Sequence, residues 1–294
     1  MSAGPPPPSA SLAWIGSPGA PGEPPRGRWG PPERLCLPLD DRGLLLGDGL
    51  FETLLVARGQ PWLLRQHLER WREGAALLGL PPPPGARQLS PLIAEAIQRG
   101  GWSWGALRLT WSRGGGGRGV DLPPAGAAAP QPRFWLHLSP RRPSFAPTRV
   151  IVSATERRHP TNLSSRCKTL AYGWAVQARR EARAAGVDDA LVLNTAGQLC
   201  CATTANLLLR RDGCWFTPPL SSGCLPGVMR GRAVALGLIR EAPLAPEALE
   251  EAEAGLLLNS LDGRPLDLPG APATAVAAAE ARRLWHRCVG LAAE

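Results

Sequence analysis

The chain has 294 residues, 44% of them hydrophobic, and carries 33 Lys and Arg against 24 Asp and Glu for a formal charge of +9. That length suits one large domain or two medium ones, and the apolar fraction is ample for a core, which excludes global disorder. The positive excess would suit nucleic acid, but the arginines are scattered, often beside Asp or Glu, with no basic run interleaved by aromatics, so small anionic substrates fit better.

Seven cysteines without a C-x-x-C pair, and only four histidines, argue against a zinc site and for free thiols in a reducing cytosol. No run of about eighteen apolar residues occurs, and the N-terminus lacks a basic-then-apolar signal pattern, so a soluble cytoplasmic protein with no membrane partner is expected.

Residues 1–10, with four consecutive prolines, read as a disordered tail. Ser11 to Ile15 is a short first strand, and residues 17–32, dense in Gly and Pro, read as an inserted loop. A strand over Leu50 to Val56 turns at Arg58-Gly59-Gln60 into a return strand, Pro61 to Leu64. Leu68, Trp71, Ala75 and Leu78 recur at helical spacing within Gln66 to Leu78, which stops at Gly79 and the prolines 81–84. A second helix is expected from Pro91 to Gln98, then strands at Gly105 to Trp111 and Arg133 to Leu138.

The short proline-rich segment 139–147 reads as a linker between a smaller N-terminal domain, 11–138, and a larger C-terminal one, 148–294. Beyond it come a strand at Arg149 to Ser153 and an amphipathic helix from Gly173 to Ala185. Two hairpins follow, one around Thr195-Ala196-Gly197 and one around Arg211-Asp212-Gly213. Helices at Gly227 to Leu238, Ala245 to Ala254 and Ala273 to Leu291, with a strand at Gly255 to Asn259, complete the chain. Hairpins without regular βαβ alternation argue for an α+β fold in two domains.

One residue stands out against this background. Lys168 is the one lysine in the chain, and the one tyrosine, Tyr172, follows four residues later. A guanidinium stays protonated, whereas an ε-amine can lose its proton and attack a carbonyl, so a lysine kept amid arginines suggests a Schiff-base role toward an aldehyde cofactor.

Several motifs agree with that reading in order and spacing: Asp41-Arg42-Gly43, Gly47-Asp48-Gly49-x-Phe51-Glu52, His67-x-x-Arg70, Lys168, Asn206-Leu207, and Pro218-Pro219-Leu220 through Leu225-Pro226-Gly227. Together, across roughly residues 35 to 265, they resemble the class IV aminotransferase family, the fold-type IV pyridoxal-phosphate enzymes. Within it, Ser112-Arg113-Gly114 through Gly117-Arg118-Gly119, and Asn259-Ser260-Leu261, look most like aminodeoxychorismate lyase, which makes 4-aminobenzoate and pyruvate in folate synthesis. The resemblance implies a D-amino-acid-aminotransferase-like fold, with a smaller N-terminal α/β sandwich and a larger mixed-sheet domain. It also implies pyridoxal 5'-phosphate as cofactor and a homodimer.

By that resemblance Lys168 is the imine lysine and proton shuttle, and Arg70 a phosphate-binding arginine. Gly227, Val228 and Met229 offer backbone N–H groups to the phosphate at a helix start, and Asn259 and Ser260 could add contacts or be ordinary turn residues. Tyr172 and Asn206 fall on cofactor-site positions, though an aromatic core role for Tyr172 stays open. Arg113 and Arg118, in a glycine-rich loop, are candidates for the substrate carboxylates.

One position departs from the pattern. The family places a glutamate, partner of the cofactor's pyridine nitrogen, five residues before Asn206, and here that residue is Cys201. A neutral ring or another partner, lost catalysis, or a shifted register each remain open. A weaker electron sink should harm transamination more than a lyase reaction that aromatises its product. The competing readings are a branched-chain or D-amino-acid aminotransferase, and a cofactor-binding relative with little turnover.

Overall fold

A computed structural model describes residues 11–116, 119–122 and 131–291, and the chain divides into two compact units, Met1–Arg142 and Pro143–Glu294. Unit 1 contains β1 (Leu12–Ser17), β2 (Arg26–Gly30), α1 (Arg42–Leu46), β3 (Gly49–Ala57), β4 (Gln60–Pro61), α2 (Leu64–Leu77), α3 (Ala86–Gly100), β5 (Trp104–Ser112) and β6 (Arg133–Pro140). Its strands form one antiparallel sheet in the order β2-β1-β6-β5-β3-β4. Alternation along the strands decides its faces. Register pairs Leu54 with Leu107, Leu107 with Leu138, and Leu109 with Leu136, and all of these are buried. Trp71 of α2 reaches the same face, its ring centroid 6.3 Å from that of Phe134.

Two expectations for unit 1 need correction. The Gly/Pro-rich stretch 17–32 is not all loop, because Arg26–Gly30 pairs along β1 with Trp29 opposite Trp14. Glycine is what allows it: a Cβ at Gly27 would lie 2.4 Å from the Trp14 ring. The second helix does not begin at Pro91 but at Ala86, where the Gly85 N–H is taken by the Gln88 side chain at 3.0 Å. A proline inside a helix costs about 3 kcal/mol. Burying Leu89, Leu92 and Ile93 on one stripe, at about 1.5–3 kcal/mol each, outweighs that.

Unit 2 contains β7 (Val150–Arg158), α4 (Leu163–Arg166), α5 (Gly173–Ala184), β8 (Asp189–Asn194), β9 (Leu199–Ala202), β10 (Asn206–Arg211) and β11 (Cys214–Thr217). It continues with α6 (Val228–Ala235), β12 (Arg240–Glu241), α7 (Ala248–Glu251), β13 (Ala254–Leu258), β14 (Gly263–Leu266) and α8 (Ala275–Val289). The strands make two sheets, β7-β8-β9 and β12-β11-β10-β13-β14. One apolar cluster joins them, with Leu191 and Leu199 from the first against Leu207, Leu209, Leu257 and Leu266 from the second. On the other side of β8, Ala178 and Ala182 of α5 pack against Ala190 and Val192. Small residues there bring the helix close to the sheet.

The sequence reading missed β14 because Pro265 interrupts it, a break tolerated on an edge strand. Among the described residues no helix is long and apolar enough to cross a membrane.

Candidate active site

The segment between α4 and α5 carries the lone lysine. The Asn162 side chain caps α4 by accepting the Ser164 N–H, and the chain then leaves the helix at Cys167. Lys168 is half-buried, and its Nζ donates to Tyr172 Oη at 3.1 Å. Tyr172 is the N-cap residue of α5, and its ring lies 5.9 Å from that of Trp174 in the helix's first turn. The indole in turn packs against three buried thiols, Cys200, Cys201 and Cys224. Trp174 thus lies between the lysine's tyrosine and the thiol cluster that contains Cys201.

A second feature of unit 2 is the start of α6. Gly227 is its N-cap and no side chain caps the helix, so the first-turn N–H groups, those of Val228 and Met229 included, can receive an anion. Asn206 fixes this turn, donating Nδ2–H to the Leu225 carbonyl at 3.0 Å. The approach is so close that a Cβ on Gly227 would fall 2.0 Å from Asn206 Oδ1. Asn206 therefore acts by holding the turn. The Met229 side chain is buried, leaving only its backbone to offer.

Asn259, a candidate for a phosphate contact, uses its side chain within its own turn. Its Oδ1 accepts the N–H groups of Leu261 and Asp262, and its Nδ2 donates to the Thr204 carbonyl. It shapes its own turn, which contains Ser260, and ties that turn to the loop after β9. The same loop is anchored by buried Asp189, which accepts from Thr203 Oγ1 at 2.6 Å, Arg179 at 2.8 Å and Arg264 at 3.0 Å.

Cys201 is buried on β9 opposite Val192. A hydrogen bond from Cys200 lowers its thiol pKa, burial opposes this, and the Arg158 charge adds to the lowering.

In unit 1, the expected phosphate arginine Arg70 spends Nε and Nη2 on Glu52, at 2.9 and 2.5 Å. His67 Nδ1 lies 2.7 Å from the same carboxylate. Burial would raise the Glu52 pKa, but the Arg70 charge and the His67 hydrogen bond outweigh it and hold Glu52 at about 2.

Arg113, a candidate for a substrate carboxylate, makes its contacts within unit 1. Its Nε donates to Asp48 at 2.7 Å, and its terminal nitrogens donate to the carbonyls of Gly79 and Leu78. These contacts tie the end of β5 to the end of α2. Arg42 shares Asp48 and grips the carbonyls of Val120 and Asp121 at 3.1 Å each. Arg118, the other candidate of that loop, lies outside the described residues. Among the described residues no group of His, Cys, Asp and Glu side chains could hold a metal ion.

With this geometry in place, the chain can be set beside known proteins. The sequence profile of the amino-transferase class IV family matches residues 49–265. A putative branched-chain-amino-acid aminotransferase of Methanocaldococcus jannaschii is 28% identical over 223 residues, covering 75% of this chain and 74% of that protein. A putative aminodeoxychorismate lyase of Schizosaccharomyces pombe is 30% identical, covering 72% of this chain and 86% of that protein. In structure, a fold IV-transaminase from Curtobacterium pusillum superposes with a TM-score of 0.78 at 24% identity, covering 95% of this chain and 98% of that one. The chain belongs to the class IV aminotransferase family and has the two-unit α+β fold of the fold-type IV enzymes. That family is pyridoxal-phosphate-dependent.

The sequence reading missed Trp174, Cys224 and Arg158. None has a local signal, because their significance lies in meeting across α5, a loop and two strands.

Proposed function

We propose that the protein is a pyridoxal-phosphate-dependent aminodeoxychorismate lyase, converting 4-amino-4-deoxychorismate to 4-aminobenzoate and pyruvate for folate synthesis. The residues of unit 2 suit the cofactor: a side-chain amine held by a phenol, and a helix start with no side-chain cap, whose first-turn N–H groups can receive an anion. Bound pyridoxal phosphate supplies an aldehyde to hold the substrate amine and a ring to draw electrons from it. Lys168 Nζ, positioned by Tyr172 Oη, takes the proton from the substrate ring carbon bearing the amino group. With that proton gone the ring C–O bond breaks, the ring is left aromatic, and the departing enolate of pyruvate takes up a proton, which Lys168 Nζ can return, to become pyruvate. The helix α6 N–H groups hold the cofactor phosphate.

Lyase is favoured over amino-acid transamination by the loop Ser112-Arg113-Gly114 through Gly117-Arg118-Gly119, in which Arg113 is the internal brace and Arg118 the cation assigned to a substrate carboxylate. The fission-yeast relative named as a lyase supports this reading. The archaeal relative named as a branched-chain aminotransferase keeps transamination as the second reading, with Cys201 in the carboxylate's place as the observation against it. We assign the active protein as a homodimer acting on a small anionic amine, with no nucleic-acid partner and a cytoplasmic location.

The deciding experiment supplies the loaded protein with aminodeoxychorismate, or separately with an amino acid and 2-oxoglutarate. Production of 4-aminobenzoate with equimolar pyruvate, abolished in Lys168→Arg, is the expected result. Transamination without 4-aminobenzoate overturns the lyase assignment. Because the chain has one lysine, borohydride reduction of the loaded protein should place the cofactor on a single side chain.

A further inference from the structure

Arg158 has no task in the site described so far. It is 7% exposed, and its guanidinium carbon sits 4.4 Å above the Trp174 ring. Its Nη2 reaches the Ser164 carbonyl at 3.5 Å, while its buried Nε has no hydrogen-bond partner. No carboxylate lies within ion-pair distance of it among the described residues. A buried guanidinium without an anion is costly enough that a compensating charge is to be sought nearby.

The sheet register supplies one. Arg158 pairs with Asn194 on β8, and Cys201 pairs with Val192, two residues earlier on the same strand. Positions two apart share a face, and Val192 faces α5, so Arg158 and Cys201 both lie on the α5 side. Trp174, in the first turn of α5, lies under the Arg158 guanidinium and packs against the thiol cluster that contains Cys201.

The other groups facing Cys201 are few. Cys200 adjoins it on β9, Cys224 arrives from the loop before α6, and Asp189 lies on β8 with its charge already met by Arg179 and Arg264. The hydrogen bond between Cys200 and Cys201, then burial, push the Cys200 thiol up, and burial carries Cys224 up to about 11. Of the three thiols only Cys201 is moved down, so it is the one that ionises first.

We propose that Cys201 stands as a thiolate paired with the Arg158 guanidinium, and that its sulfur accepts the ring N–H of the bound cofactor. Arg158 is a positioning residue, holding the negative charge on sulfur where the family holds it on a carboxylate. The contact to the ring rests on the cofactor reading above, whereas the thiolate–guanidinium pair does not.

The test measures ultraviolet thiolate absorbance against pH for the full-length protein, loaded and cofactor-free, in wild type, Cys201→Ser, Arg158→Met and Arg158→Lys, with circular dichroism reporting the fold. Wild type should show one thiolate that forms at lower pH than the other thiols and that Cys201→Ser removes. Arg158→Met should move its midpoint to higher pH, and Arg158→Lys, which keeps the charge, should restore most of the shift. Coincident curves for wild type and Cys201→Ser, or a midpoint indifferent to Arg158→Met, overturn the pair. The pH response of the cofactor's visible band should differ between loaded wild type and Cys201→Ser, and identical bands overturn the ring contact. If no cofactor is retained at all, the reading of the previous subsection fails, while the thiolate titration still decides the pair.

Discussion

At the scale of single residues, the strongest electrostatic commitment in unit 1 is Glu52. It is fully buried, flanked by Arg70 and His67, and held at about 2 against an ordinary value of 4.5. A carboxylate with a depressed folded pKa stabilises the fold above its unfolded pKa, and that stability is lost as pH falls through the folded value. Removing one partner of a buried ion pair costs about 3–5 kcal/mol. Glu52→Gln should therefore unfold more easily at neutral pH by roughly that amount. The gap to wild type should narrow as pH drops from 4.5 toward 2, as measured by denaturant titration. A gap that stays constant down to pH 2 would show that the carboxylate's charge is not what matters. The adjoining Asp48, half-buried, is also moved down: burial opposes, but hydrogen bonds and charge from Arg113 and Arg42 win. Arg113, in a glycine-rich stretch of sequence, is thus tied to Asp48. Its partner lies 65 residues earlier, a separation that no local reading of the loop contains.

At the scale of elements, local signals located what local chemistry determines. Lys168 was legible because composition isolates it, and the α6 start because a Pro-Gly turn before a helix is a sequence feature. The α3 start was misplaced because a proline is a strong punctuation mark, and only the buried stripe around it shows that packing prevails. The Arg158–Trp174–Cys201 grouping was out of reach because strand register, which brings its members together, is not written in any one segment. The α6 turn offers a test of how tightly such elements are set. At Gly227 φ is −63°, a conformation open to alanine, so any penalty comes from the Asn206 side chain 2.0 Å from the new Cβ. Asn206 would have to release Leu225, and overpacking of this kind costs about 1–3 kcal/mol. Gly227→Ala should lose stability in that range and weaken cofactor retention, while the same change in an Asn206→Ala background should cost much less. Additive effects in the double-mutant cycle would mean that the two residues do not constrain each other.

At the scale of the whole molecule, the excess of 33 basic over 24 acidic side chains gives a net charge of +9, nearly all of it on arginine. Arginine cannot be titrated away, so the positive field persists across the physiological range. Such a field concentrates anions, and salt removes it: the screening length is about 10 Å at 0.1 M and about 3 Å at 1 M. Aminodeoxychorismate carries two carboxylates and one amine, whereas a branched-chain amino acid is neutral overall at neutral pH. If the lyase assignment is right, kcat/KM for aminodeoxychorismate should fall by roughly tenfold or more between low and high salt, since electrostatic steering contributes about 10–10³ to encounter. Any slow transamination of a neutral amino acid by the same preparation should change little. The comparison uses one enzyme under one set of salts, so general effects of salt on the fold cancel. Equal salt dependence for both substrates would mean that local groups alone admit the anion, and that the arginine-rich composition does nothing for substrate capture.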